Sequence, residues 1–282
     1  MATLTIVGSG LIGGSIALAA RRNLPALRIV VVDRDPAVVD TALRTNLADD
    51  GGDDLARASG SDIVVLAAPV RQNIELLRTI PDRIDGDVLV TDVGSTKVAI
   101  SAAARALPPR VRFVGGHPIA GAASGSIDSV RRDLFQGRPW LLTPLPDDDS
   151  RPTRPEDLNV IENFVRSLGG VPYRLSPLEH DRLMAYVSHL PQLAVSALMQ
   201  VVGDRVLHDG LLFAGNGLRD STRLASSPPA TWRDIASTNA PTLKIALDDL
   251  IAALGRLRDD LESGEELDRV FEAAGRWKGF LG

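Results

Sequence analysis

The chain alternates short, almost wholly apolar runs with stretches whose apolar positions recur at helical spacing. The runs are Leu4 to Val7, Ile29 to Val32, Ile63 to Ala68, Val88 to Val90 and Val111 to Val114. Such near-continuous apolar character is what a strand buried on both faces needs, so these segments predict a parallel sheet. Amphipathic stretches at Leu11 to Arg22, Ala37 to Asn46, Gln72 to Thr79 and Thr96 to Leu107 predict helices between the strands. Two further runs, Trp140 to Thr143 and Val171 to Arg174, flank a helical pattern near Asp157 to Leu168. This alternation predicts an α/β, doubly wound sheet of the Rossmann type.

The pattern changes near Leu175 to Pro177. Beyond it no strand signal stands out, and helical patterns cover Leu178 to Val202, Val206 to Phe213, Leu218 to Leu224, Ala230 to Ser237, Thr242 to Leu261 and Glu265 to Phe280. The expected division is therefore a sheet domain over 1–175, with Pro144 to Pro155 as a surface loop inside it, and an all-α domain over 176–282. Leu183 to Val202 is the most apolar stretch, but Ser188, His189, Pro191, Gln192 and Gln200 interrupt it, which predicts a buried helix and not a bilayer span. That helix and Leu243 to Leu257 offer more apolar surface than one small domain can bury, which predicts a homodimer built on the C-terminal helices.

Composition narrows the chemistry. With 282 residues, 44% hydrophobic and 24% charged, the chain is a globular protein. A net charge of -5 gives no general attraction to nucleic acid or anionic membrane, so a small molecule is the expected ligand. The absence of cysteine removes thiolate nucleophiles and cysteine-ligated metals, and four scattered histidines form no recognisable zinc cage, so no metal is expected. The first residues show no basic segment followed by an apolar core, which predicts no signal peptide and a cytoplasmic location.

At the end of the first predicted strand, Gly8-Ser9-Gly10-Leu11-Ile12-Gly13 is a GxGxxG sequence running into the first helix. Gly8 permits a tight turn, Gly10 lets the backbone approach a pyrophosphate, Gly13 lets helix and strand pack closely, and the helix start at Leu11 and Ile12 holds the anion. Asp33 closes the second strand, where a carboxylate accepts from the adenosine ribose hydroxyls and repels a 2′-phosphate, so NAD is expected over NADP. Arg34 beside it is either a clamp for that extra phosphate, which leaves NADP open, or a solvated turn residue. Ala68 and Pro69 end the third strand at the same sheet edge, facing the nicotinamide half. Ser95, after the fourth, either reaches substrate or caps the following helix.

His117 lies in Gly115-Gly116-His117-Pro118 after the fifth strand, between glycines that allow unusual backbone angles. Titrating near neutrality beside the nicotinamide, it can accept a hydroxyl proton as hydride leaves the same carbon. His189 sits beside Pro191, whose missing N–H predicts a kink and a free carbonyl at Val187; its bland alternative is a hydrogen-bonded core histidine. His180 and His208 have no such context and read as structural. Arg219 and Arg223, four apart on one predicted helix face with Trp232 soon after, suit a dicarboxylate, or else form an ion-paired face with Asp220 or Asp234.

Taken in order, the GxGxxGGS run from Gly8 to Ser15, Asp92-Val93-Gly94-Ser95-Thr96-Lys97, Gly116-His117-Pro118-Ile119-Ala120-Gly121, Ser188-His189-Leu190-Pro191 and Arg219 to Ala225, followed by Trp232-Arg233-Asp234-Ile235, closely resemble the prephenate and arogenate dehydrogenases of tyrosine biosynthesis. The resemblance spans nearly the whole chain. It implies His117 as the residue polarising the ring 4-hydroxyl, Ser95 as its hydrogen-bonding helper, His189 near the nicotinamide and Arg223 as the substrate carboxylate anchor. A helical domain interlocking two chains is also implied. Two departures bear on substrate choice: Ala122-Ala123 stand where many prephenate-type members carry glutamate, and Gln192 stands where a histidine often follows Ser-His-Leu-Pro. No chorismate mutase or ACT-type module is expected within this length. The alternatives are a relative acting on an amino-substituted prephenate, a hydroxyacid dehydrogenase, which would want a catalytic lysine in its helical domain, and an NAD-sensing regulator, which would have no use for His117, His189 and Arg223 together.

Overall fold

A computed structural model describes residues 2–120 and 129–281. Its first part is one eight-stranded sheet, β1 (Thr3–Val7), β2 (Arg28–Val32), β3 (Asp50–Gly52), β4 (Ile63–Leu66), β5 (Val88–Asp92), β6 (Val111–Pro118), β7 (Pro139–Thr143) and β8 (Val171–Arg174), in the order 3-2-1-4-5-6-7-8. The helices are α1 (Leu11–Asn23), α2 (Pro36–Arg44), α3 (Val70–Arg83), α4 (Val98–Ala104) and α5 (Pro155–Ser167). The apolar runs are continuous because both faces are covered. Leu4, Ile6 and Val65 pack into one core, with α1 and α5, while Val7, Val64 and Leu66 pack into another, with α3 and α4. Each such fully buried side chain contributes roughly 1.5–3 kcal/mol.

Two features go beyond the expected parallel sheet. The edge strand β3, Asp-Gly-Gly, pairs with β2 through backbone alone and has no apolar signature. Strand β7 runs antiparallel to β6, and β8 follows β7, so two of the eight strands oppose the rest. The strand order reverses between β1 and β4, and there the carboxyl ends open the crevice where ligands of such sheets bind.

Helices follow: α6 (Pro177–Met184), a π-helical turn over Ala185–His189, α7 (Leu190–Leu211), α8 (Asn216–Ser221), a 3-10 turn over Arg223–Ser226, α9 (Pro229–Thr238), α10 (Ala240–Asp259) and α11 (Glu265–Lys278). A reciprocal pair of bonds between Ser176 and Glu179 starts α6. The kink expected at Pro191 takes the form of the π turn, in which Leu190 N–H reaches Ala185 O, and Pro191 then falls in the first turn of α7, where its missing N–H costs nothing. Helix α7 breaks at Leu207 (φ 57°). The expectation of a buried helix over Leu183 to Val202 is corrected: Leu183, Tyr186, Leu198 and Val201 are exposed, because no described residue covers that face. Helix α10 buries Leu243 and Ala246 but leaves Ile251 63% and Leu254 56% exposed. Among the described residues no helix is long and apolar enough to cross a membrane.

Candidate active site

The glycine-rich turn has the geometry its sequence predicts. Gly8 adopts φ 93° and donates to Val32 O at 2.8 Å, and a Cβ there would lie 2.9 Å from the Ala67 carbonyl carbon. A Cβ at Gly13 would overlap the Gly8 carbonyl oxygen, so only glycine lets α1 start this close to β1. Gly10 precedes α1 without any side-chain cap, which leaves the helix's first N–H groups open to an anion. Asp33 does more than its position suggested. Its Oδ2 accepts from Ser9 N–H at 2.8 Å and its Oδ1 from Asp35 N–H at 3.0 Å, so it braces the turn while retaining lone pairs for a ribose.

These groups line a cavity of about 540 Å³ with Arg34, Asp53, Pro69 and Glu75. Three carboxylates against the one exposed guanidinium of Arg34 disfavour an added 2′-phosphate. A second cavity of about 350 Å³ shares Gly10, Ala67, Ala68 and Pro69 with the first and adds Leu11, Ile12, Ser95, Thr231 and Asp234. Two chambers joined over an uncapped helix start fit the two halves of a dinucleotide and its central pyrophosphate.

Helices α3 and α4 begin after Pro69 and Lys97, neither of which caps with its side chain. Both caps come from the helical part. Asp234 of α9 accepts from Val70 and Arg71 N–H (2.6 and 3.2 Å), and Asp181 of α6 accepts from Lys97 and Val98 N–H (2.7 and 2.9 Å). Ser95 is therefore not the cap of α4; it is half-buried and lines the second cavity.

His117 is not in a loop but near the end of β6, and Gly115 and Gly116 before it serve close packing, not unusual angles. A Cβ at Gly116 would lie 2.7 Å from Asp92 O and 3.0 Å from Trp140 Nε1. Both backbone groups of Gly116 are held: its N–H donates to Asp92 Oδ1 (3.1 Å) and its carbonyl accepts from Lys97 Nζ (2.8 Å). Lys97 and Asp92, both fully buried, pair with each other. Sequence reasoning gave Lys97 no role, although a lysine is almost never fully buried without a partner.

The reading of His180 as merely structural is also corrected. It is fully buried; its Nε2 lies 2.9 Å from His117 Nδ1 and its Nδ1 lies 2.8 Å from Asp181 Oδ1. Among the described residues, the partner of the His117 ring is thus His180 and not Ser95. Burial, reinforced by His180, Lys97 and His189, holds the His117 imidazole well below its usual pKa. Burial likewise lowers His180 against the opposing pull of Asp181. His189 is buried, with its Nδ1 3.4 Å from Asn239 Nδ2 and its ring centroid 6.0 Å from that of Trp232. Burial pushes it down to about 4. Burial thus favours the neutral form of all three rings.

Arg219 and Arg223 do not share one helix face. Helix α8 ends at Ser221, Thr222 turns away (φ -104°, ψ 12°), and Arg223 opens the 3-10 turn. Both are exposed, and among the described residues neither is ion-paired; Asp234 is engaged by α3. The turn carrying Arg223 rests on buried Gln192, whose Nε2 donates to Leu224 O (2.7 Å) and whose Oε1 accepts from Ser227 Oγ (3.1 Å). Ala122 and Ala123 lie outside the described residues.

A Rossmann-type sheet with an anion-ready helix start, joined to a helical part that caps its active edge, defines a nicotinamide-dinucleotide dehydrogenase. Residues 16–174 match the prephenate dehydrogenase nucleotide-binding domain and residues 176–273 the prephenate dehydrogenase dimerization domain, and the chain belongs to the prephenate dehydrogenase family. It is 33% identical to the prephenate dehydrogenase of Bacillus subtilis over 279 residues, 96% of this chain and 74% of that one. The crystal structure of A. aeolicus prephenate dehydrogenase in complex with hydroxyphenyl propionate and NAD+ is similar, with a TM-score of 0.91 and 29% identity over 100% of this chain and 99% of that one. Synechocystis arogenate dehydrogenase gives a TM-score of 0.84 at 29% identity, over 99% of this chain and 100% of that one.

Proposed function

We propose that the chain catalyses NAD-dependent oxidative decarboxylation of prephenate, giving 4-hydroxyphenylpyruvate, or of arogenate, giving tyrosine, in tyrosine biosynthesis. The observation that carries this reading is His117 at the carboxyl end of β6, bonded to His180, on the sheet edge that also carries the glycine turn and Asp33. The Gly8 to Gly13 turn and Asp33 would hold NAD, which when bound supplies the acceptor for the hydride leaving the hydroxyl-bearing ring carbon. His117 receives the hydrogen bond of that hydroxyl. As the C–H pair departs, the oxygen gains carbonyl character and its proton leans onto the imidazole. Breakage of the bond to the carboxylate then returns electrons to the ring, which becomes aromatic, and the proton rests on the phenol oxygen of the product.

Exposed Arg223, with no ion pair among the described residues, suits a substrate carboxylate, with Arg219 and Trp232 alongside and Ser95 on the cavity wall. His189 supports the site from behind, buried against Asn239. The uncovered apolar faces of α7 and α10 support a homodimer through the helical domain, and the cytoplasm is the expected setting. The decisive assay offers prephenate and arogenate, each with NAD and with NADP, and follows reduced nicotinamide. Turnover of at least one substrate with NAD is expected; NAD binding without turnover of either would replace this reading with a sensing role.

A further inference from the structure

We infer that His180 and Asp181 set the tautomer of His117, fixing its Nε2 as the hydrogen-bond acceptor, and do so from the helical domain across the interface with the sheet. The inference rests on the reading of His117 as the group that receives the substrate hydroxyl.

Both oxygens of Asp181 already accept backbone N–H groups, from Lys97 and Val98, so this carboxylate acts as an acceptor. The His180 nitrogen facing Oδ1 at 2.8 Å must therefore carry the hydrogen, since a bare Nδ1 would set lone pair against lone pair. A neutral imidazole has one N–H, so Nε2 of His180 is left as an acceptor. Among the described residues the group it meets is Nδ1 of His117 at 2.9 Å, which must then donate. That leaves Nε2 of neutral His117 with its lone pair, and no described residue bonds it. The opposite arrangement, with the hydrogen on Nε2, would leave two ring nitrogens facing each other without a proton and turn a donor toward the substrate hydroxyl.

The surroundings keep this chain in place. Asn239 Nδ2 donates to the Asp181 carbonyl at 2.8 Å, holding α6 at this residue, and the Lys97–Asp92 pair holds both backbone groups of Gly116 beside His117. Among the described residues the charged and titratable groups near the two rings are Lys97, Asp92, Asp181 and His189. Lys97 repels protons from both rings, so the rings stay neutral and the tautomer stays fixed. His180 and Asp181 are positioning residues, because neither needs to touch substrate.

The test reads the tautomer directly. In protein labelled with nitrogen-15 in its four histidines, assigned by single variants, the His117 signals should report hydrogen on Nδ1 and a bare Nε2 at neutral pH, without substrate present. His180→Leu removes the acceptor at similar volume. It should yield a mixture of His117 tautomers and lower kcat by about 10- to 100-fold, part of the worth of a positioned base, with KM for NAD unchanged. His180→Gln, whose amide oxygen can still accept from Nδ1–H, should recover the tautomer and most of the rate. Hydrogen on Nε2 in the wild type, or an unaltered tautomer in His180→Leu, would overturn the inference. Because the spectrum needs no turnover, a correct tautomer in a protein inactive on both substrates would count against the proposed reaction and not against the relay.

Discussion

Acid should destabilise this protein well before its carboxylates titrate, and His189 gives the magnitude. Its side chain is 1% exposed and its pKa is pushed from 6.5 down to about 4, chiefly by burial. A histidine with a depressed folded pKa favours the native state above 6.5, where neither state binds the proton. As pH falls below 6.5 the unfolded chain takes it up first, and stability is lost until the native state also protonates near 4. At about 1.4 kcal/mol per pH unit, the contribution of His189 alone is roughly 2 kcal/mol between pH 6.5 and 5 and about 3 kcal/mol by pH 4. His180 and His117 are shifted in the same direction and add to the slope. Over the window from 6.5 to 5, Asp49 and Glu162 are held below the usual carboxylate range by their arginine and backbone partners, while Asp157, raised by burial, works against the histidine slope. Urea denaturation at pH 7, 6 and 5 should show the fall, and His189→Gln should flatten it by about 2 kcal/mol at pH 5. Equal stability of the wild type at pH 7 and 5, or a variant as pH-sensitive as the wild type, would refute the reasoning.

Three further outcomes are expected. Asp33→Ser should narrow the preference for NAD over NADP through the cofactor KM without inverting it, because Asp53 and Glu75 still line the cavity; an unchanged ratio of kcat/KM values would remove Asp33 from cofactor choice. Arg223→Ala removes a charge-assisted contact worth roughly 1.5–3 kcal/mol, so substrate KM should rise about tenfold to over a hundredfold with the NAD term unmoved; an unchanged KM would pass the anchor to Arg219. Light scattering should give a mass near twice the 30.0 kDa of one chain, and a double Val201→Asp and Ile251→Asp variant should lower it; a stable, active wild-type monomer would contradict the dimer.

The central strands were legible because burial on both faces leaves an almost unbroken apolar run, as in Val64 to Leu66. Strand β3 was not, because Asp50-Gly51-Gly52 joins the sheet by backbone alone, and no side-chain pattern encodes the reversed direction of β7. The glycine turn and Asp33 could be read because their spacing is local. The partner of His117 could not, since His180 lies 63 residues away and meets it only after two domains pack. Weak signals existed: a histidine next to an aspartate early in a helix, and helices α3 and α4 that begin after Pro69 and Lys97 with no cap of their own. Such helices must be capped from elsewhere, and the structure supplies Asp234 and Asp181. The apolar character of Leu183 to Val202 suggested burial, but Leu183, Tyr186, Leu198 and Val201 stand exposed, because apolar content alone does not say which surface covers a helix.

His117 is the group on which the proposed chemistry depends. With its Nε2 held as an acceptor at the substrate hydroxyl, His117→Asn should lower kcat about 100- to 10,000-fold while KM for NAD stays near the wild-type value and the protein remains folded. Steady-state kinetics of the folded variant with NAD and whichever of prephenate or arogenate the wild type turns over is the direct measurement. A kcat within a few-fold of the wild type would contradict the proposed chemistry.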